Sequence, residues 1–291
     1  MLLSILEQGL IYGILALGLL ITYRILDFPD LTVDSSFPLG AAVSAVLTLA
    51  GMPPVLTLLC AILSGALAGL ITGLIHVKCH VRDLLSGIIT MTGLYSVNLN
   101  IAGKANVPLF SGDTLFKNAF TKSLPDFLRP YSTLLIILLI ALCAKLALDW
   151  FLSTKAGFLL RAVGDNPAVV TTLAQDQGRV KILGLMIANA LVALAGAVMA
   201  QQQRFFEISM GTGAMVIGLA SVIIGTNLFH RFSFLHSTTM ALIGSILYKA
   251  CVALALQIGL DASFMKLVTA VLFLIILVSS QFTRKKVHIR V

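Results

Sequence analysis

Long apolar runs separated by short polar turns dominate this chain, and the lengths of the runs predict its elements. A helix needs about 20 apolar residues to cross a bilayer. Runs of that kind, some of them short, fall at 3–22, 37–51, 55–76, 84–101, 131–150, 181–200, 214–229, 236–256 and 263–281. The pattern predicts an all-α polytopic membrane protein of about nine transmembrane helices (eight to ten) in a single domain, 1–291. The second run follows the polar stretch Asp27-Phe-Pro29-Asp30-Leu-Thr32-Val-Asp34-Ser35-Ser36, so a broken helix is expected near 27–40. Small residues recur four apart at Gly9/Gly13 and at Gly65/Gly69/Gly73. In lipid, helices associate through such close backbone approach, so these positions predict helix–helix contacts.

An offset of 178 residues sets Gly18 on Gly196 and Gly40 on Gly218. The first span would run inward and the sixth outward, giving an inverted internal repeat with halves at about 1–150 and 181–291. In folds of that kind the substrate path lies where the repeats meet, beside discontinuous helices. The same offset brings the Asp27–Ser36 stretch into register with Arg204-Phe-Phe-Glu207-Ile-Ser209-Met-Gly211-Thr212-Gly213. Two readings fit these segments. They are interfacial turns, or they enter the membrane and line a path through Asp27, Asp30, Thr32, Asp34, Ser35, Ser36, Glu207, Ser209 and Thr212. A carboxylate facing lipid at the bilayer centre costs about 2.5–3.5 kcal/mol on insertion scales, so the acidic side chains must face water, protein or a cavity. Thr92, Ser96 and Asn100, with Asn98 close by, add a polar stripe at i, i+4, i+8 in the fourth span.

Composition agrees with a membrane protein: 58% of residues are hydrophobic and 11% charged, where a soluble domain carries about 25% charged residues. The net charge of +8 would suggest nucleic acid in a soluble protein. Here the basic residues sit beside spans, which points to lipid headgroups and topology and away from nucleic acid. With the C-terminal Arg284, Lys285, Lys286 and Arg290 inside, Arg24, Lys78, Arg82, Lys155, Arg161, Arg179, Lys181 and Arg231 also fall inside. The bias places the N-terminus outside and the C-terminus in the cytoplasm. Lys145 has Asp149 one helical turn on as a neutralising partner. Lys249 and Lys266 have no partner nearby in sequence; they either snorkel toward an interface, the preferred reading, or face the cavity.

Cys60, Cys79, Cys143 and Cys251 are scattered and give neither a disulfide framework nor metal spacing. His76-Val-Lys-Cys79-His80 reads as a basic turn, not a metal site. The N-terminal apolar run has no positive region before it and is expected to stay as the first span. The stretch 102–130, with Pro108, Gly112, Pro125 and Pro130, reads as an external loop with a short interfacial helix. No Gly-x-x-x-x-Gly-Lys-Ser/Thr phosphate loop and no nucleophile elbow are present in the sequence, so the chain is read as non-catalytic.

On the side expected to be cytoplasmic, the longest stretch that could form a helix outside the bilayer is 152–180. It contains Gly157, Arg161-Ala162-Val-Gly-Asp165-Asn166-Pro167-Ala168-Val169-Val170, Leu173 and Gly178. Asn166 can cap a helix whose first position is Pro167. This run, with Gly9-Leu-Ile-Tyr12-Gly13-Ile-Leu-Ala-Leu-Gly18 at the N-terminus, resembles the permease subunits of bacterial ATP-binding-cassette importers of the branched-chain amino acid and ribose type. Relatives of the tryptophan/tyrosine type are close to it. The resemblance implies a multi-pass subunit of the bacterial cytoplasmic (inner) membrane, paired with a second copy as a homodimer. It also implies cytoplasmic ATPase subunits carrying ATP and Mg, an extracytoplasmic solute-binding protein, and no cofactor in this chain. Residues Asp165 to Leu173 would dock in a groove on the ATPase. Thr171-Thr172 and Gln175-Asp-Gln177 are more polar than the group's pattern. The cargo implied is an amino acid, branched-chain or aromatic. Two alternatives stand beside it: a permease for nucleosides or sugars, and a secondary transporter driven by an ion gradient through Asp27, Asp30, Asp34 or Glu207.

Overall fold

The structure is a computed structural model that describes residues 2–110, 112–117, 129–165, 176–229, 235–257, 264, 267–271, 273–275 and 277–278. In chain order the elements are α1 (Leu2–Leu19, continued by a π-helical turn Leu20–Ile25), α2 (Val33–Leu49), α3 (Pro54–Lys78), α4 (Asp83–Ala102) and β1 (Asn106–Pro108). They are followed by α5 (Ser132–Ser153), α6 (Lys155–Asp165), α7 (Gln177–Gln203), β2 (Phe205–Glu207), α8 (Ala214–Phe229) and α9 (Ser237–Gln257). Among the described residues seven helices are long and apolar enough to cross a membrane, and Val33–Leu49 is a shorter apolar helix. Two of the nine expected spans therefore differ from expectation. The run 37–51 is a 17-residue helix that starts earlier, at Val33. Within 263–281 the described residues 267–271, 273–275 and 277–278 are helical, but they do not form an uninterrupted described span.

Helix α7 is the centre of the bundle and packs against α3, α2 and α1. Its sequence explains this, because Ala188, Ala193, Ala195, Gly196, Ala197 and Ala200 leave the backbone open to neighbours. The small-residue stripe of α3 lies on this contact. A Cβ on Gly65 would overlap the Asn189 carbonyl, and one on Gly69 the Leu185 carbonyl. Gly9 and Gly13 of α1 meet Ile246, Leu242 and Ser245 of α9 instead, and Ser245 Oγ donates to the Gly9 carbonyl at 2.7 Å. Close packing of this kind replaces the hydrophobic drive that lipid does not supply.

The outer surface is apolar where lipid belongs. Leu59, Leu63, Leu67, Ile71 and Leu74 are exposed along α3, and Leu135, Leu139, Leu142 and Leu146 along α5. Lys145 Nζ meets Asp149 Oδ2 at 2.8 Å within α5, as the i, i+4 spacing predicts. Lys249 does not snorkel. Its Nζ lies 3.8 Å from the centroid of the Tyr12 ring, which is itself stacked on Phe37. The aromatic face supplies the attraction that water would give at an interface. Lys266 lies outside the described residues.

Two helices begin inside the bundle. Ser36, near the start of α2, bonds to Asn189, which is twelve residues into α7 and so about 18 Å from that helix's first residue. Helix α8 starts beside Asp34, after a β-strand and a 3₁₀ turn at Ile208–Gly211. A Cβ on Gly40 would overlap the Ala193 carbonyl, and one on Gly218 would press on the Leu15 side chain. These two contacts are related by the 178-residue offset found in the sequence. Outside the bundle, β1 pairs antiparallel with β2, Val107 opposite Phe206. Gln201 Nε2 donates to Ser44 and Thr57 hydroxyls, and its Oε1 accepts from Leu115 N at 3.0 Å, fastening the external loop. The described part of the loop expected to hold an interfacial helix contributes this strand, a bridged turn at Thr114–Lys117 and a 3₁₀ turn at Arg129–Tyr131; residues 118–128 lie outside the description.

Candidate functional site

The acidic stretch after α1 re-enters the bundle. Asp27 adopts a left-handed conformation, φ 51°, and Phe28 N donates back to the Thr22 carbonyl at 2.8 Å. Asp30 is fully buried. Its Oδ1 accepts from Thr32 N at 2.9 Å and its Oδ2 from Asn189 Nδ2 at 2.8 Å. Ser36 Oγ donates to Asn189 Oδ1 at 2.6 Å, and the Thr32 and Thr72 hydroxyls are 2.9 Å apart. Ser35 Oγ donates to the Met91 carbonyl, and Asn98 Nδ2 donates to the Ser35 carbonyl. Asp30, Thr32, Ser35 and Ser36 thus do not line a surface of this chain, as the path reading expected. Their polar atoms are spent on hydrogen bonds to α3, α4 and α7, and those bonds fix the non-helical backbone at membrane depth.

Asp34 has a different task. Its Oδ2 accepts from Gly213 N at 3.1 Å and its Oδ1 from Met215 N at 2.8 Å, so it caps α8 from the neighbouring helix α2. A carboxylate there satisfies free N–H groups and meets the positive end of the helix dipole. Pro38 has no N–H to offer the Asp34 carbonyl one turn earlier, and Gly211 packs against that carbonyl.

The remaining polar candidates gather on one exposed face. Thr92, Ser96 and Asn100 are exposed along α4, and Glu207, Ser209 and Thr212 are exposed beyond β2. The turn Ile208–Gly211 touches α4, which joins the two groups. Thr92 Oγ1 donates to the Ile88 carbonyl, and Ser209 Oγ donates to Glu207 Oε1. A shallow cleft of about 370 Å³ lies between Tyr95, Ser96, Leu99, Asn100 and Gly103. Nothing lies within 4 Å of the Cβ that Gly93 lacks, so this face is open. Asp27 is exposed, but it follows the C-terminal end of α1 and its π-helical turn and is apart from this group.

At the end of the bundle where the coupling segment is expected, Ser153 and Thr154 end α5 and α6 turns back at once. Gly157 is buried there, with the Phe151 and Leu152 backbone where its Cβ would be. Leu160 and Val163 are buried beneath α6, while Arg161 and Asp165 are exposed and Ala162 is half-buried. Gly164 packs on the Ile25 carbonyl of the π-helical turn. Asn166, Pro167, Ala168, Val169, Val170 and Leu173, and with them the expected capped helix, lie outside the described residues. The chain resumes at Asp176, whose Oδ1 accepts from Gly178 N at 2.8 Å and caps α7.

Two buried side chains that organise the site were not singled out from the sequence, Asn189 and Gln201. Their signal was present in the sequence, since each is an amide in or at the end of an otherwise apolar run. Among the described residues no cluster of three or more metal-ligating side chains is found.

The described chain is thus a helical bundle with seven helices able to cross a membrane, two helices that begin inside it and an exposed, partly polar face on α4. The chain belongs to the family described as branched-chain amino acid transport system / permease component, which matches residues 1–277. It is 42% identical over 271 residues to a tyrosine transport system permease protein of Clostridioides difficile, covering 93% of this chain and 88% of that one. It is also 30% identical over 229 residues to the probable branched-chain amino acid transport permease protein LivH of Methanocaldococcus jannaschii, covering 73% of this chain and 70% of that one. To the nucleoside ABC transporter permease protein NupC of Lactococcus lactis it is 28% identical over 220 residues, 66% of this chain and 65% of that one. No solved structure matches.

Proposed function

We propose that two copies of this chain carry an aromatic amino acid of the tyrosine class inward across the cytoplasmic membrane, driven by ATPase subunits bound to the inner face. The observation that carries this reading is the exposed polar face of α4 and the 207–212 segment. Helices α3 and α5 turn only apolar side chains such as leucines outward over long stretches, whereas α4 turns out Thr92, Ser96 and Asn100 among Leu85, Ile89, Val97 and Leu99. Such a face is costly against lipid and suits a water-filled path between two facing copies. Tyr95 is 52% exposed beside it, and an aromatic ring offers a surface along which an aromatic solute can slide. The tyrosine permease of Clostridioides difficile supports the choice of cargo.

The two helices that start inside the bundle, and the matched contacts of Gly40 and Gly218, support an inverted repeat with the path at its centre. The Lys/Arg bias supports an external N-terminus and a cytoplasmic C-terminus. In that frame α6 and the segment after Asp165 face the cytoplasm and form the docking element. Their push reaches α1 through the Gly164–Ile25 contact, the re-entrant segment through the turn that follows, and α8 through the Asp34 cap. An extracytoplasmic binding protein delivers the solute to the face formed by β1, β2 and their loops.

The test is uptake of labelled tyrosine by vesicles containing the permease and its ATPase. Uptake that needs ATP, ignores protonophores and is competed by phenylalanine but not by ribose or uridine supports the reading. Uptake that follows the proton gradient, or that is competed equally by uridine, refutes it.

A further inference from the structure

Where α5 ends, the π-helical turn of α1, helix α6 and the start of α9 leave a cleft of about 570 Å³. Its walls carry Arg24, Arg161 and His236, facing Asp149 and Asp165. Asp149 is already compensated, since it accepts from Lys145 Nζ at 2.8 Å and from Thr238 Oγ1 at 2.6 Å. Among the described residues neither Arg24 nor Arg161 pairs with a carboxylate, and the Arg161 guanidinium only leans on the Phe158 ring at 5.8 Å. The cleft is therefore left with an excess of positive charge.

A second, independent feature borders it. Leu135, Leu139, Leu142, Leu146 and Trp150 are exposed on α5 at helical spacing, a stripe about 22 Å long. Trp150, at the end of the stripe, is 73% exposed, and Phe158 on the cleft wall is 60% exposed. An apolar stripe that ends in a tryptophan and then a basic cleft has the shape and polarity of a phospholipid. The chains lie against leucine, the ring sits at headgroup level and the phosphate meets arginine.

We propose that this cleft holds the phosphate of an anionic phospholipid of the inner leaflet, with its acyl chains along α5. The proposal rests on the cytoplasmic placement of α6, but not on the identity of the solute or on the path. Because α6 leads into the docking segment, the lipid would brace the element that receives the ATPase's push.

The chain has a single tryptophan, and it stands at the site. The full-length permease is placed in phosphatidylcholine bilayers containing either brominated phosphatidylglycerol or brominated phosphatidylcholine, and quenching of Trp150 is compared. The expected result is preferential quenching by the anionic lipid, about fivefold for each arginine that contributes. The preference should vanish in the double variant Arg24→Gln/Arg161→Gln, while quenching by brominated phosphatidylcholine stays as in the wild type and shows that the fold is intact. Equal quenching by both lipids in the wild type overturns the proposal. So does a preference that millimolar inorganic phosphate removes, since the cleft would then take a soluble anion. Loss of the preference on adding the ATPase subunits also overturns it, because the cleft would belong to an acidic segment of that partner. A normal lipid result with no tyrosine uptake would leave this site standing and refute only the transport reading.

Discussion

Asn189 is the residue on which the re-entrant segment depends most. It donates to Asp30 and accepts from Ser36, and both partners are buried away from water. Asn189→Leu would leave Asp30 Oδ2 and the Ser36 hydroxyl without their partner, at a cost of about 1–3 kcal/mol each. A clear fall in the thermal unfolding midpoint in detergent is expected. Asp30→Asn keeps only one of the two acceptor oxygens and sets its amide N–H against a donor, so it too should fall, by the loss of one of the two hydrogen bonds. Asp34→Ala removes the cap of α8 and should cost about 1 kcal/mol. Because the proposed push reaches α8 through this cap, the same variant should lose transport more than stability, read as uptake against unfolding. The sequence marked Asp30, Thr32, Ser35 and Ser36 as polar groups at membrane depth, but not which way they turn. Their partner Asn189 is 159 residues from Asp30, and no spacing rule reaches that far. Lys249 departs from expectation for the same reason, since Tyr12, whose ring holds it, is on another helix.

At the scale of the element, α6 is the feature that run lengths could not show. It has 11 residues, too few for a span, and its buried Gly157, Leu160 and Val163 read as a loop when only long apolar runs are sought. Its contacts make it a lever: Gly157 is wedged against the end of α5, and Gly164 sits on Ile25. Gly164→Val should push α6 off the π-helical turn. The expected outcome is ATP hydrolysis that no longer rises with the binding protein and solute, with the permease still inserted and bound to its ATPase. Asp165→Lys and Val169→Asp should likewise separate hydrolysis from uptake, and wild-type uptake in both would remove the docking assignment. The interruption after Ile25 was legible because Pro29 and the acidic residues Asp27 and Asp30 do not continue an apolar helix, whereas Pro38 lies within α2. Its short partner α2 and the long α7 were legible only in outline, since apolar text fixes neither depth nor caps.

The whole molecule is a bundle in which α7 holds the centre and the apolar faces of α3 and α5 look outward. One polar face, on α4 and the 207–212 segment, has no partner within the described chain that would explain it. Composition alone announced the membrane, and the glycine stripes announced close helix–helix contacts but not their partners; the openness of the α4 face came only with packing, because a polar stripe in a span also serves to glue helices together. The central claim, that solute driven by ATP passes along this face, is tested most directly on the Ser96→Cys variant, with the four native cysteines replaced by serine. Vesicles containing this permease and its ATPase would be assayed for ATP-dependent tyrosine uptake before and after a hydrophilic thiol reagent. The account predicts that uptake is abolished by the reagent and protected when excess tyrosine is present during labelling. Full uptake after complete modification of the introduced thiol would contradict it.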